Sequence, residues 1–278
     1  MKLVENLLYS YCHFIQKSNL VKQHISGDST LTPQEKATKY FWYELNKSPK
    51  FDALFNLDFK EKVVVEIGAG YGGYMFHLLK GGAKFVYGID VDDERLKDAA
   101  KSIETNYTER NFSFSTSGAE KMNHIADNSV DVIVSDAVFE HILNRDGMFA
   151  EVKRILKPGG KLCFSTSPIW KTRNGGHLSR YIPIYWSHLI FDENTIINVL
   201  NRQKENNDFP IDALDNMIVI YKTIGKLTIT KLKKEIANSG LKIFSFRNIT
   251  NSTIKKLLMN LPFGEEYFAG SIVVEVRK

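Results

Sequence analysis

The chain has 278 residues, 43% of them apolar and 25% charged, with a formal net charge of +5. That balance is ordinary for a soluble globular protein and excludes a largely disordered chain or a fibrous repeat. A chain of this length can bury a full core without disulfide or metal staples. Its two cysteines, Cys12 and Cys163, are too few for either framework and fit a reducing, cytoplasmic setting. No run approaches ~18 apolar residues, so no membrane span is expected. The N-terminus carries no small-residue cleavage site, so no secretory leader is expected either.

Leu3, Val4, Leu7, Leu8, Tyr11, Phe14 and Ile15 recur at helical spacing. A second helix starts at Thr32-Pro33-Gln34-Glu35, where threonine caps, proline suits the first turn and glutamate completes a capping box. Its inner face reads Ala37, Tyr40, Phe41, Glu44 and Leu45. The β-branched run 63–67 is a buried strand ending in glycines. A helix over 72–80 follows, stopped by Gly81-Gly82. The next strand, 85–89, closes on Asp90, and Asp92 or Asp93 caps a helix with Leu96, Ala99, Ala100 and Ile103 inward. Strands over 112–116 and 130–134 precede a helix over 146–156. Lys157-Pro158-Gly159-Gly160 reads as a turn, with a fifth strand over 161–166. The aromatic stretch 168–191 breaks the rhythm. Helices near 192–203 and 228–239 follow, then strands over 241–246 and 272–276. Strands alternating with helices imply a parallel sheet covered on both faces.

Residues 222–256 hold eight Lys and one Arg against one Glu, a local excess of +8. This reads as a solvated face at the edge of the domain. A nucleic-acid surface interleaves basic side chains with stacking aromatics. Phe244 and Phe246 alternate as in a buried strand, so a nucleic-acid partner is not expected.

The turn Gly68-Ala69-Gly70-Tyr71-Gly72-Gly73 joins the first buried strand to a helix. Glycines there let the backbone approach a ligand, and the helix start presents free N–H groups. Asp90 closes the next strand 22 residues after the first glycine, where a carboxylate can accept both hydroxyls of a ribose. The pattern points to a nucleoside-containing cofactor. Gly68, Gly70 and Gly73 also satisfy the dinucleotide spacing, so the turn alone does not choose the cofactor. Glu66, two residues before Gly68, would repel a pyrophosphate and favour an ammonium group. The stretch Val134-Ser135-Asp136-Ala137-Val138-Phe139-Glu140-His141 adds carboxylates and no base that could receive phosphate.

The run from about 60 to 166 resembles the class I S-adenosylmethionine-dependent methyltransferases. The resemblance rests on Val-Val-Val-Glu-Ile-Gly-Ala-Gly-Tyr-Gly at 63–72, Gly-Ile-Asp at 88–90 and Gly-Ala-Glu at 118–120. Asp-Asn-Ser-Val-Asp-Val-Ile-Val-Ser at 127–135, Phe-Glu-His-Ile at 139–142 and Leu-Lys-Pro-Gly-Gly-Lys-Leu at 156–162 complete it. It implies an α/β fold: a doubly wound, seven-stranded, mostly parallel Rossmann-like sheet whose antiparallel last strand is inserted between the fifth and sixth. An N-terminal helical lid over 1–50 would precede a methyltransferase domain over 51–278, with a substrate-side insertion at about 168–226. Tyr40, Phe41 and Tyr43 are candidates for the lid.

By the same resemblance, Glu66 and the backbone at Gly68 and Gly70 hold the methionine part of S-adenosyl-L-methionine, and Tyr71 lines that pocket. Asp90 binds the ribose hydroxyls, Val91 packs on adenine, and Ala119 and Glu120 read the adenine edge. Ser135 offers its carbonyl to the methionine amine. Gly118 departs from the family, which often has aspartate there, so Glu120 or backbone groups take over that contact.

A sulfonium methyl is already activated, so positioning carries most of the rate. An oxygen or nitrogen acceptor must lose a proton, and a histidine can take it. His177, after Gly175-Gly176, is the first choice, since Gly-Gly-His there resembles small-molecule O-methyltransferases and the glycines would let the loop close. His141, at the carboxyl edge of the sheet, is the second, and His188 reads as structural. Arg173 and Arg180 read as solvated surface arginines, with pairing to an anionic substrate group as the alternative. Ser135-Asp136-Ala137-Val138 lacks the pattern of base-amino methylation, and Ser165-Thr166-Ser167-Pro168 lacks the Asp-Asn pair of a metal-dependent site, so no metal is expected. The expected function is methyl transfer to a small-molecule acceptor, most plainly at oxygen. The alternatives are an RNA-directed methyltransferase or binding protein, an NAD(P)-dependent oxidoreductase and a non-catalytic cofactor-binding scaffold.

Overall fold

The alternation of strand and helix read from the sequence runs from Val63 to Thr166 in the computed structural model, which describes residues 2–17 and 31–278. In chain order the elements are α1 (Lys2–Lys17), α2 (Pro33–Phe55), β1 (Val63–Ile67), α3 (Gly73–Lys80), β2 (Phe85–Asp90), α4 (Asp93–Asn106) and β3 (Phe112–Thr116). There follow β4 (Val130–Asp136), α5 (Arg145–Ile155), β5 (Leu156–Thr166), α6 (Ser187–Ile190), α7 (Glu193–Glu205), α8 (Ile211–Thr223) and α9 (Ile229–Ser239). The chain closes with β6 (Lys242–Ile249), α10 (Thr253–Leu258), α11 (Gly264–Phe268) and β7 (Ser271–Arg277). Among the described residues no helix is long and apolar enough to cross a membrane.

Two compact units form, each with its own core. The sheet unit comprises residues 32–166, 230–249 and 271–278, and it holds a seven-stranded sheet in the order β3-β2-β1-β4-β5-β7-β6. Strands β1 to β5 pair in parallel, and β7 runs antiparallel between β5 and β6. This is the seven-stranded, mostly parallel arrangement that the motifs imply. Phe41, Phe51 and Phe55 of α2 join Met75 and Leu78 of α3 and Val64 and Val86 of the sheet in one core. Each such side chain contributes about 1.5–3 kcal/mol by leaving water. Thr32 caps α2 through the capping box expected there, with Glu35 closing it from the third helical position.

Two local readings change. Lys157-Pro158-Gly159-Gly160 is a bulge inside β5, not a turn before it: Val130 pairs with Leu156, and Val132 already pairs with Lys161. The extra residues leave the ladder at Gly159, whose φ is +79°. In β6, the alternation of Phe244 and Phe246 does not mark burial. This strand pairs with β7 alone, Phe244 is 62% exposed, and the Arg277 guanidinium lies over its ring. An edge strand has one neighbour, so alternation there need not mean that one face is covered.

The helical unit comprises residues 167–229 and 250–270 together with α1. The two helices before β1, grouped as one lid by the sequence, therefore fall in different units, and residues 18–30 of that segment lie outside the described residues. Leu8 and Cys12 of α1 pack with Ile196, Val199 and Leu200 of α7 and Leu214 and Met217 of α8. His13 Nδ1 lies 2.8 Å from Asp208 Oδ1, and the Arg202 guanidinium lies 4.1 Å from the centre of the Tyr9 ring. The sequence did not announce α8, because its continuous apolar run over 217–221 hides the helical period.

One buried ion pair joins α5 to α9. Arg145 donates through Nε and Nη2 to the carboxylate of Glu235 at 2.8 and 3.2 Å, and through Nη1 to the Ile142 carbonyl at 2.5 Å. Removing one partner of such a pair strands the other charge in low dielectric. Arg145→Met is therefore expected to cost about 3–5 kcal/mol of stability, read from the urea midpoint, and Arg145→Met/Glu235→Gln to recover part of it. A single-variant loss under about 1 kcal/mol would show that the pair behaves as an exposed one.

Candidate cofactor site

The strand order reverses between β1 and β4, so their carboxyl ends form the crevice where open α/β sheets bind ligands. Glu66 and Gly68 from the end of β1 and Asp136 from the end of β4 line a cavity of about 90 Å³ there. Tyr43, Glu44, Lys47, Ser48 and Phe51 of α2 and Tyr74 of α3 complete its wall.

The glycine turn is held against β2, with the Gly68 and Ala69 N–H groups both donating to the Ile89 carbonyl, at 2.7 and 3.0 Å. Gly68 and Gly70 have φ of +81° and +51°, a region that side-chain-bearing residues enter at a cost. A Cβ on Gly73 would collide with the Phe41 carbonyl, so α2 sits directly on the start of α3. Glu44 exploits that contact. Its carboxylate accepts the Tyr71 N–H at 3.1 Å and the Gly73 N–H at 3.0 Å. It satisfies the first N–H of α3 and a turn N–H just before the N-cap, Gly72, which has no side chain of its own to cap with.

Asp90, half-buried at the end of β2, accepts the Gly70 N–H at 2.9 Å and the Asp92 N–H at 3.0 Å. The turn and the acid that closes β2 are thus brought together as the sequence predicts. Glu66 is buried, and its Oε2 has no hydrogen-bond partner. Burial pushes its pKa well above the usual carboxylate range, and the charges of Glu44, Asp90 and Asp136 push it further. Lys47 is ion-paired with Asp136, which also accepts from the Ser165 hydroxyl. Four acids and one lysine therefore share the crevice.

The other expected cofactor residues do not line the cavity. Tyr71 stacks on Tyr40 with centroids 5.4 Å apart, and Arg95 lies 5.7 Å from its ring. Val91 is 76% exposed beside Asp90, and Ala119 is buried. The Glu120 carboxylate occupies the space that a side chain at Gly118 would enter. Ser135 is buried, and its hydroxyl donates to the Ile67 carbonyl at 2.9 Å, tying β4 to β1. Of the lid candidates, Phe41 is core, Tyr40 covers Tyr71 and Tyr43 faces the cavity.

Among the histidines, His141 ends a tight turn after β4, its N–H donating to the Val138 carbonyl at 2.9 Å. Desolvation lowers its pKa below the ordinary value although the residue keeps surface access. His177 belongs to the helical unit and stands at φ +60°, its N–H donating to the Asn174 carbonyl at 2.9 Å. Gly175 and Gly176 before it have no room for a Cβ, which would strike the Trp170 carbonyl or the His188 side chain. In this arrangement they serve close packing. His188 is structural: its Nε2 meets the Trp170 carbonyl at 2.5 Å.

Glu44, Lys47 and Asp136 were not assigned to the site by sequence reasoning. A usable signal existed for Glu44, an acid within the otherwise apolar inner stripe of a helix that precedes a glycine turn.

Residues 65–164 match the family model of a methyltransferase domain. The chain is 36% identical over 110 residues to an arsenite methyltransferase of Aquipseudomonas alcaligenes, covering 37% of this chain and 32% of that protein. It is 30% identical over 129 residues to a thiol S-methyltransferase of Homo sapiens, covering 46% and 52%. The chain thus spans about a third to a half of the length of these curated relatives. An S-adenosylmethionine-dependent methyltransferase structure from Mesorhizobium loti shares the fold, with a TM-score of 0.54 at 16% identity over 84% of this chain and 100% of that one. Residues 65–164 thus match a methyltransferase domain, and the chain shares its fold with S-adenosylmethionine-dependent methyltransferases. The cofactor of that class bears an ammonium and a sulfonium group, and the orphaned Glu66 oxygen within a carboxylate cluster fits such a cation.

Burial raises the Glu44 pKa from 4.5 to about 7. The folded chain then binds that proton more tightly than the unfolded chain, so its contribution to stability falls as pH rises from 4.5 to about 7 and is level above. Glu44→Gln, which keeps an acceptor oxygen, is expected to flatten the stability profile across that window, followed by denaturant midpoints. Parallel wild-type and variant profiles would refute the assignment.

Proposed function

We propose that this chain is an S-adenosylmethionine-dependent methyltransferase acting on a small-molecule acceptor at oxygen. The observation that carries the reading is the buried Glu66 carboxylate, with one oxygen unpartnered and three more acids close enough to raise its pKa. A pyrophosphate placed there would meet like charge, which disfavours a nicotinamide dinucleotide. A cationic amino-acid tail would relieve the repulsion, as Lys47 now does at Asp136.

In this reading Glu66 and the backbone of Gly68 and Gly70 hold the methionine part of the cofactor. Asp90 holds the ribose hydroxyls, and its existing bond to the Gly70 N–H keeps that carboxylate oriented. Val91 supplies an exposed apolar surface for adenine, and Ala119 and Glu120 serve its edge, with Glu120 in the space left by Gly118. Tyr71 and the Ser135 carbonyl complete the binding set. Helix α2 acts as the lid, since Glu44 and Lys47 already close over the turn and the strand ends. Bound there, the cofactor supplies a methyl group activated on a sulfonium.

A hydroxyl acceptor must give up its proton, and we assign His177 as the base with His141 as the alternative. The lowered pKa of His141 keeps its imidazole neutral, and so able to accept a proton, at neutral pH. The arsenite and thiol methyltransferases that the chain resembles bear the names of small acceptors, which supports the small-molecule class.

Asp90→Ala is expected to abolish S-adenosylmethionine binding in calorimetry while the fold is kept, and wild-type protein is expected to ignore NADH. Undiminished affinity in the variant defeats the ribose assignment, and capture of NADH defeats the reading as a whole. With an acceptor in hand, His177→Ala is expected to lower turnover by ~10²–10⁴-fold with cofactor affinity unchanged. Wild-type turnover in His177→Ala would move the base to His141, and wild-type turnover in both single variants would remove the base altogether.

A further inference from the structure

The helical unit contains a cavity of about 320 Å³, within the ~300–1,000 Å³ range of small-ligand sites. Its wall combines Arg173 and Lys255 with Tyr185, Trp186 and Tyr267, and among the described residues no acid lines it. The Arg173 guanidinium lies 4.7 Å from the centre of the Tyr185 ring. Neither Arg173 nor Lys255 has a carboxylate at ion-pair distance among the described residues. Burial lowers the Lys255 pKa, and the charge of Arg173 lowers it further, so the two cations sense each other. Two cations sharing an acid-free cavity repel, and an anion between them turns that cost into attraction.

The same wall carries a second demand. The Asn174 side-chain oxygen is buried with no hydrogen-bond partner, so it lacks a donor. The aromatic wall is also held in place. Trp186 donates its indole N–H to the Lys171 carbonyl at 3.0 Å and its backbone N–H to the Arg173 carbonyl at 2.8 Å. Its ring meets Phe268 edge-on, with centroids 6.2 Å apart. Its φ of +59° is a strained backbone state that the surrounding contacts maintain, as is common at ligand sites.

We propose that this cavity binds a small planar carboxylate that also bears a hydroxyl donor. Arg173 and Lys255 receive the carboxylate, the Tyr185, Trp186 and Tyr267 rings take the flat body, and the Asn174 oxygen accepts from the hydroxyl. The inference concerns the helical unit alone. It goes beyond methyl transfer and does not require it.

The test uses the full chain without cofactor, titrated with 4-hydroxybenzoate, 4-hydroxybenzamide and benzoate and followed by tryptophan fluorescence and calorimetry. Saturable binding of 4-hydroxybenzoate is expected, about tenfold or more tighter than the neutral amide. Benzoate, which lacks the hydroxyl, is expected to bind more weakly. Arg173→Ala and Lys255→Gln are each expected to weaken 4-hydroxybenzoate by about tenfold and to leave the amide nearly unchanged. Unaltered thermal melting and S-adenosylmethionine affinity would show that the variants fold and that the sheet unit is intact. Equal affinity for acid and amide, no effect of either substitution, or no saturable binding at millimolar ligand would each overturn the proposal.

Discussion

A carboxylate buried at the mouth of the first strand sets the terms for the sheet unit. Glu66 has left water with one oxygen unpartnered, and Glu44, Asp90 and Asp136 raise its proton affinity further. Such a cluster is costly unless a cation answers it. Each acid reaches it by a different route. Glu66 ends β1, Asp136 ends β4, Asp90 ends β2, and Glu44 comes from α2. The reversal of strand order between β1 and β4 is what gathers the strand ends at one crevice. The same fold geometry that builds the core therefore builds a receptor for positive charge.

The glycine turn mediates between backbone and charge. Its N–H groups are shared out among the Ile89 carbonyl, the Asp90 carboxylate and the Glu44 carboxylate. Helix α2 can approach the turn because Gly73 has no side chain, and that approach is what carries Glu44 to the start of α3. Lid and turn are thus coupled through hydrogen bonds to a group that titrates near neutral pH.

The helical unit shows the opposite electrostatic choice. Among the described residues its cavity carries Arg173 and Lys255 and no acid, while the sheet unit's cavity carries three acids and one lysine. Each unit keeps a separate apolar core.

Much of this was legible in the sequence, and the reason is local. Short apolar runs, β-branched in β1 and part aromatic in β2, end in glycine or acid and define these strands whatever surrounds them, and the spacing from Gly68 to Asp90 follows from one strand–helix–strand repeat. Glu66, Gly68, Gly70 and Asp90 could therefore be placed by chain position alone. The bulge at Gly159 and the exposed face of β6 could not, because each depends on which strand lies alongside. Glu44 stood out only as an acid in an apolar helical stripe and Lys47 not at all, since an acid and a base on a helix acquire their roles only when α2 docks on α3 and the strand ends. Sequence determined the elements and the chemistry at their ends, because those rest on neighbours a few residues apart. Tertiary structure alone decided which charges meet, because that rests on contacts between segments distant along the chain.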